Sequence, residues 1–129
     1  MFEIVMKPRV SETNAAGHIG NTVVPIWFEE GRTEFFRDLL SGVLFFTMLV
    51  RIEQNFRREI FYGSDVLIKT AIERVGSSSV SLTQEVWQND SLVADGKSVV
   101  VHIDMATKRP TPISEEVRVL LEEGIALSP

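Results

Sequence analysis

The chain contains no cysteine, which excludes disulfides, thiolate metal ligands and a cysteine nucleophile at once. Histidine is almost as scarce. His18 and His102 are the only two, far apart in sequence, so no two-histidine helical metal motif exists and no metal is expected. Positive charge is in deficit, with thirteen Lys and Arg against eighteen Asp and Glu and a net charge of −5. Phosphate neutralisation needs clustered cations, whereas Arg57-Arg58 and Lys108-Arg109 stand apart and form no stripe. A nucleic-acid partner is therefore not expected. Long apolar runs are also missing. The longest, Val43 to Phe46, is far short of the roughly 20 residues that span a bilayer, so no membrane partner is expected. The start, M-F-E-I-V-M-K-P-R, lacks a charged segment followed by an apolar stretch, so it does not read as a signal peptide. The expectation is a soluble, cytoplasmic chain of 129 residues forming one domain over 1–129, large enough to bury a core without staples.

What is present is organised around Ser11 to Leu40. A polar turn of small residues carries Asn14, Gly17, His18 and Gly20 and runs into the longest helix-like segment. Thr22 is a suitable N-cap, and Pro25 then occupies the third helical position, where its missing N–H breaks no helical bond. Val24, Trp27, Phe28, Gly31, Phe35 and Leu39 share one face at three- and four-residue spacing. Gly31 costs about 1 kcal/mol against Ala in a helix, which points to close approach of the helix backbone to its neighbour. Ile26 and Leu40 behind that face suggest a helix covered on more than one side. Ser41-Gly42 ends it.

The rest reads mostly as sheet. Residues 2–10 alternate, with Phe2, Ile4 and Met6 on one side, and Pro8 implies an edge position or the strand's end. Val43 to Phe56 reads as one long strand, buried at its start. Val66, Ile68, Thr70 and Ile72 form a half-buried strand, followed by one carrying Val80, Leu82 and Val86. Asn89-Asp90 makes a tight reversal into Val93 to Asp104, where Val99, Val101 and Ile103 share a face. Short turns between these three strands mean an antiparallel meander. Ser114 then caps a short helix with Glu115 and Glu116 in its first turn. The fold class is α+β, one helix covering one face of an antiparallel sheet.

This order of elements resembles the hotdog fold, with a long central helix wrapped by about five to six antiparallel strands. Three stretches resemble its acyl-CoA thioesterase branch, which includes 4-hydroxybenzoyl-CoA thioesterase: Asn14 with Gly17-His18 and Glu29-Glu30-Gly31-Arg32; Phe61 to Asp65 with Arg74 to Ser79; and Thr107 to Glu116. The branch usually carries aspartate, as nucleophile or general base, where this chain has Asn14. An amide does neither job at neutral pH. Glu12-Thr13-Asn14 resembles instead the hotdog thioesterases of enediyne polyketide synthesis, which lack the acid and are thought to rely on Asn and Arg. Arg32 stands at a comparable place.

The resemblance implies hydrolysis of an acyl-CoA or acyl-carrier-protein thioester, with coenzyme A as part of the substrate and no cofactor. It also implies a homodimer or dimer of dimers. The candidate catalytic residues are Asn14, His18, Glu29 and Arg32, with Glu30 a second possible replacement acid. The amides around Gly17, Ile19, Gly20 and Asn21, just before a helix start, are candidate oxyanion donors. The region of Ser77, Ser78 and Ser79 lies, by resemblance, near the coenzyme A groove. Each has a plainer reading: Asn14 as an Asx-turn residue, His18 as loop packing, Arg32 paired with Glu29 three residues back, and the serines as a turn. His102 reads as partly buried and structural. A hydroxyacyl-thioester dehydratase or hydratase using His18 with Glu29 or Glu30, and a non-catalytic acyl-thioester binding module, are the alternatives.

Overall fold

The computed structural model describes residues 1–127, with side chains to residue 125. Strand β1 (Phe2–Met6) leads through a short 3-10 turn into helix α1 (Val23–Leu40). Strands β2 (Thr47–Phe56), β3 (Val66–Val75), β4 (Ser79–Gln88) and β5 (Ser91–His102) follow, and helix α2 (Glu115–Leu127) closes the described chain. The five strands form one antiparallel sheet in the order β1-β3-β4-β5-β2. The meander is as expected, but β2 crosses to the far side of β5 instead of lying beside β3. β1 and β2 are thus the two edges, and β1 stops at Met6, two residues short of Pro8.

Helix α1 begins after Thr22 and ends on Ser41, in the left-handed region at φ 46°, followed by Gly42 at φ 91°. Its apolar stripe lies on the sheet, with Val24, Trp27, Phe28 and Phe35 all buried. Two apolar clusters result. Trp27 and Phe28 pack with Ile60, Val66, Ile68, Val86 and Val93. Phe35 and Leu40 pack with Ile72, Val80, Leu82, Val100 and α2's Leu121. Gly31 lies between them, where a Cβ would stand 3.0 Å from both Gln84 Nε2 and Ile68 Cγ2. The glycine is thus a point of close approach between helix and sheet.

One strand expectation is corrected. Residues 43–46 are not strand. Val43 and Phe45 pack on the cluster of Phe35 and Leu40, Phe45 edge-on to Phe36 at 5.6 Å, while Leu44 and Phe46 are 76% and 41% exposed. The run bridges helix to sheet and alternates without a strand partner. On β5 the covered face carries Ala94, Gly96, Ser98 and Val100, register-matched to buried Val86, Gln84, Leu82 and Val80, while Val99 and Val101 are half-buried on the other face. β-Branched residues mark a strand, but the face under the helix is set by how closely the backbones approach.

Candidate functional site

The loop before α1 is fixed by its own backbone and by Asn14. Asn14 N–H donates to the His18 carbonyl at 2.7 Å, and Gly17 N–H donates back to the Asn14 carbonyl at 3.0 Å. Gly17 sits at φ +83°, open to glycine at little cost. Asn14 Oδ1 accepts from Ala16 N–H at 3.0 Å and His18 N–H at 3.3 Å, so the amide oxygen is spent on the turn. The Nδ2 end is left as a donor on an exposed side chain.

The connection after β2 meets this loop. Ile19 N–H donates to the Ile60 carbonyl at 2.8 Å, and His18 bridges Phe61. Buried Gln88 holds the far side by donating to the Phe61 and Ser64 carbonyls, both at 2.9 Å. His18 Nδ1 lies 3.3 Å from Glu59 Oε1, with side-chain exposures of 29% and 64%. The imidazole stands edge-on to Phe61 at 5.0 Å. With Nδ1 protonated toward the carboxylate, Nε2 is the free acceptor. A cavity of about 680 Å³ opens here, lined among others by Asn14, His18, Asn21, Thr22, Phe56 and Glu59.

Of the expected oxyanion donors, Gly17, His18, Ile19 and Gly20 already have acceptors for their N–H groups, the last in the Glu12 carbonyl at 2.9 Å. The Asn21 and Thr22 N–H groups have none among the described residues. Of the expected donors Asn21 alone keeps a free N–H among the described residues, and Thr22 joins it one residue later.

Glu29, Glu30 and Arg32 are not part of this cluster. Glu30 is exposed on another surface beside Arg9 and Tyr62. Glu29 and Arg32 line a separate groove of about 470 Å³ with Phe36, Phe45 and Val100. Arg32 is 7% exposed and donates to Gln84 Oε1 at 3.2 Å. The expected ion pair with Glu29 does not form among the described residues. Burial lowers the Arg32 pKa from its ordinary value, and the Glu29 charge partly opposes this. The guanidinium still stays protonated.

Ser77 and Ser78 form the turn between β3 and β4 and Ser79 opens β4, at the opposite end of β3 from the Phe61 loop. A ten-residue strand rises about 33 Å, so one chain does not bring them to Asn14. Their carbonyls serve structure, Ser77 accepting from Ile113 N–H at 2.9 Å and Ser78 from His102 N–H at 2.7 Å. His102 Nδ1 lies 2.9 Å from the Phe46 carbonyl and stacks on Phe45.

Glu59 is the residue that sequence reasoning missed. It follows two arginines at a strand end, and no spacing ties it to His18. Only the Ile19–Ile60 and His18–Phe61 pairings bring it there. No group of three His, Asp or Glu side chains among the described residues is arranged to hold a metal ion, and no helix there is long and apolar enough to cross a membrane.

The fold is widely shared. A predicted thioesterase from Bacillus stearothermophilus is 41% identical over 96% of both chains, with a TM-score of 0.89. A Thermus thermophilus thioesterase, solved with coenzyme A and Zn, superposes at 0.86 with 23% identity over 98% of this chain and 95% of its own. A Staphylococcus aureus protein, solved in complex with CoA, superposes at 0.90 with 12% identity over 99% and 85%. No curated relative matches the chain. These neighbours share the hotdog arrangement of helix on antiparallel sheet, and the profile of the thioesterase-like superfamily matches residues 8–121. The chain belongs to the thioesterase-like superfamily.

Proposed function

We propose that this protein hydrolyses acyl thioesters, with coenzyme A or a carrier-protein arm as the thiol released, at the cavity beside Asn14. The observation that carries the reading is the His18–Glu59 pair, 3.3 Å apart, next to a helix start with unpaired amides. Water attacks the thioester carbonyl. His18 Nε2 takes its proton while Glu59 holds the Nδ1–H and stabilises the imidazolium. Asn14 Nδ2 and the Asn21 or Thr22 N–H groups donate to the developing oxyanion. Collapse expels the thiolate, to which His18 returns the proton. His18 oriented by Glu59 thus takes over the general-base task of the missing aspartate, for which the sequence offered Glu29 or Glu30 as replacement acids. Arg58, exposed at the cavity and free of ion pairs among the described residues, suits the phosphates of coenzyme A. Two structural neighbours were solved with coenzyme A, which agrees with this substrate class.

The unit is a homodimer, or a dimer of dimers, joined through β2. Met48, Leu49, Val50 and Ile52 are 43–56% exposed on an edge with no strand beside it. A bare apolar edge invites pairing. A second copy running antiparallel sets the Thr47 end of one β2 beside the Phe56 end of the other. The Arg32 groove of one copy then adjoins the Asn14 cavity of its mate, and Ser77 to Ser79 of one copy can approach the other's substrate.

The test is thiol release from aliphatic and aromatic acyl-CoAs by the wild type, Asn14→Ala, Asn14→Asp, His18→Ala and Glu59→Gln. Losing the donor or the base should lower kcat by roughly 10²-fold or more. A rise in Asn14→Asp would overturn the donor role of Asn14. Enoyl product without free thiol would mean a dehydratase, and stabilisation by acyl-CoA without turnover would mean a binding module.

A further inference from the structure

Across the sheet under α1 runs a single polar row. Thr70 of β3 pairs with Gln84 of β4, Gln84 with Gly96 of β5, and Gly96 with Gln54 of β2. Gln84 Nε2 donates to Thr70 Oγ1 and to the Phe28 carbonyl, both at 2.9 Å, which leaves its Oε1 as the acceptor for Arg32. The row therefore fixes one edge of a buried guanidinium. It supplies no negative charge: no carboxylate lies within ion-pair distance of Arg32 among the described residues. At the outer end of the row, Gln54 Nε2 is also buried with no acceptor. A desolvated cation on one neutral acceptor is costly unless an anion completes it.

The groove beside Arg32 has the form of an acyl pocket. Phe36, Val43, Phe45, Leu49 and Val100 give it apolar walls, and its volume of about 470 Å³ is in the range of small-molecule sites. Glu29 stands exposed at its rim, and Arg37 there is bound to Glu34. The charge left unanswered is Arg32.

We propose that this groove binds the acyl group of the substrate and that Arg32 at its foot recognises a carboxylate at the far end of that group. The preferred substrates are then thioesters of dicarboxylic acids. This rests on the thioester reading above, and on the pairing at β2 that sets the groove beside the catalytic cavity of the second copy. A neutral chain of equal length would fill the apolar walls and leave the guanidinium unpaired. Arg32 acts as a specificity residue and takes no part in bond breaking.

The experiment compares glutaryl-CoA with valeryl-CoA as substrates. Alongside, calorimetry compares the non-hydrolysable thioethers S-(4-carboxybutyl)-CoA and S-pentyl-CoA as ligands. The expected result is a preference of tenfold or more for the carboxylate in both assays, carried by KM in the first. Arg32→Met should abolish the preference in both assays, and Arg32→Lys should keep part of it. If Arg32→Met does not fold, Thr33→Trp, an exposed position lining the same groove, should weaken binding of the carboxylate thioether. Equal binding of the two thioethers by the wild type overturns the inference, as does a preference that survives Arg32→Met, or binding of the carboxylate thioether unchanged by Thr33→Trp. Tighter binding of the carboxylate thioether without any hydrolysis would leave the inference standing and overturn the catalytic reading alone.

Discussion

Arg32 on α1 donates to Gln84 on β4 at 3.2 Å, across 52 residues of sequence, and this bond lies between the two apolar clusters of the core. Replacing Gln84 by Leu removes the acceptor of a buried guanidinium and the donor to the Phe28 carbonyl. Leaving such groups unsatisfied costs about 1–3 kcal/mol, more for the charged one. Gln84→Leu should lower the urea midpoint accordingly, and an unchanged midpoint would mean that Arg32 finds solvent instead.

Gly31→Ala tests the close approach of α1. Alanine favours the helix by about 1 kcal/mol, but its Cβ would meet Ile68 Cγ2 at 3.0 Å and Thr70 Oγ1 at 3.1 Å. Both belong to a fully buried row of β3 and have little room to yield, and overpacking costs about 1–3 kcal/mol. The net effect expected is destabilisation, read as a lower midpoint in urea with an unchanged slope.

Phe28→Ala removes a ring that is 2% exposed from the cluster under the start of α1. A loss of about 3–5 kcal/mol is expected, enough to drop the melting temperature by well over ten degrees for a domain of this size. Differential scanning calorimetry reads it directly.

Ile52→Lys should convert the proposed dimer to monomer. Ile52 lies near the middle of β2 and is 45% exposed, so one lysine per copy places two like charges near the pairing axis. Light scattering at micromolar concentration checks this. A wild type that is already monomeric would remove β2 as the pairing edge.

Asp95 gives a pH signature. Its pKa is lowered, first by the hydrogen bond from Arg57, opposed by burial and helped by Asn55 and the Arg57 charge. Arg57 Nε stands 3.0 Å from Asp95 Oδ2. A carboxyl whose folded pKa is depressed adds stability above its unfolded value of about 3.9, and this is lost as pH falls through the lower folded value. Asp95→Asn should therefore melt earlier than wild type at pH 7. The gap should close as the pH drops below about 4. A gap independent of pH would assign the effect to packing.

The extent of α1 could be read locally, because the apolar period and the C-terminal glycine act within a few residues of the chain, although Thr22 precedes the helix without capping it through its side chain. The meander was equally accessible, since Asn89-Asp90 at positive φ joins strands with alternating burial. Gly31 foretold the close approach. Other features were out of reach. Alternation put Val99 and Val101 on one face of β5 but did not say which face lies under the helix, because that depends on what packs over the strand. Val43 to Phe46 has the composition of a buried strand and the surroundings of a connector.

The site divides in the same way. By itself the sequence determined a polar turn with Asn14 and His18 ahead of a helix start, and a resemblance strong enough to name the fold. Only the tertiary structure decided which groups meet. It put Glu59 beside His18, left Glu29 and Glu30 outside that cluster, and buried Arg32 on Gln84 instead of Glu29. The physical reason is that helix spacing fixes angles around one axis, whereas the partner of a side chain is set by sheet order and register. The crossing of β2 to the far side of β5 is recorded in no local signal. It creates both the bare edge and the groove beside Arg32.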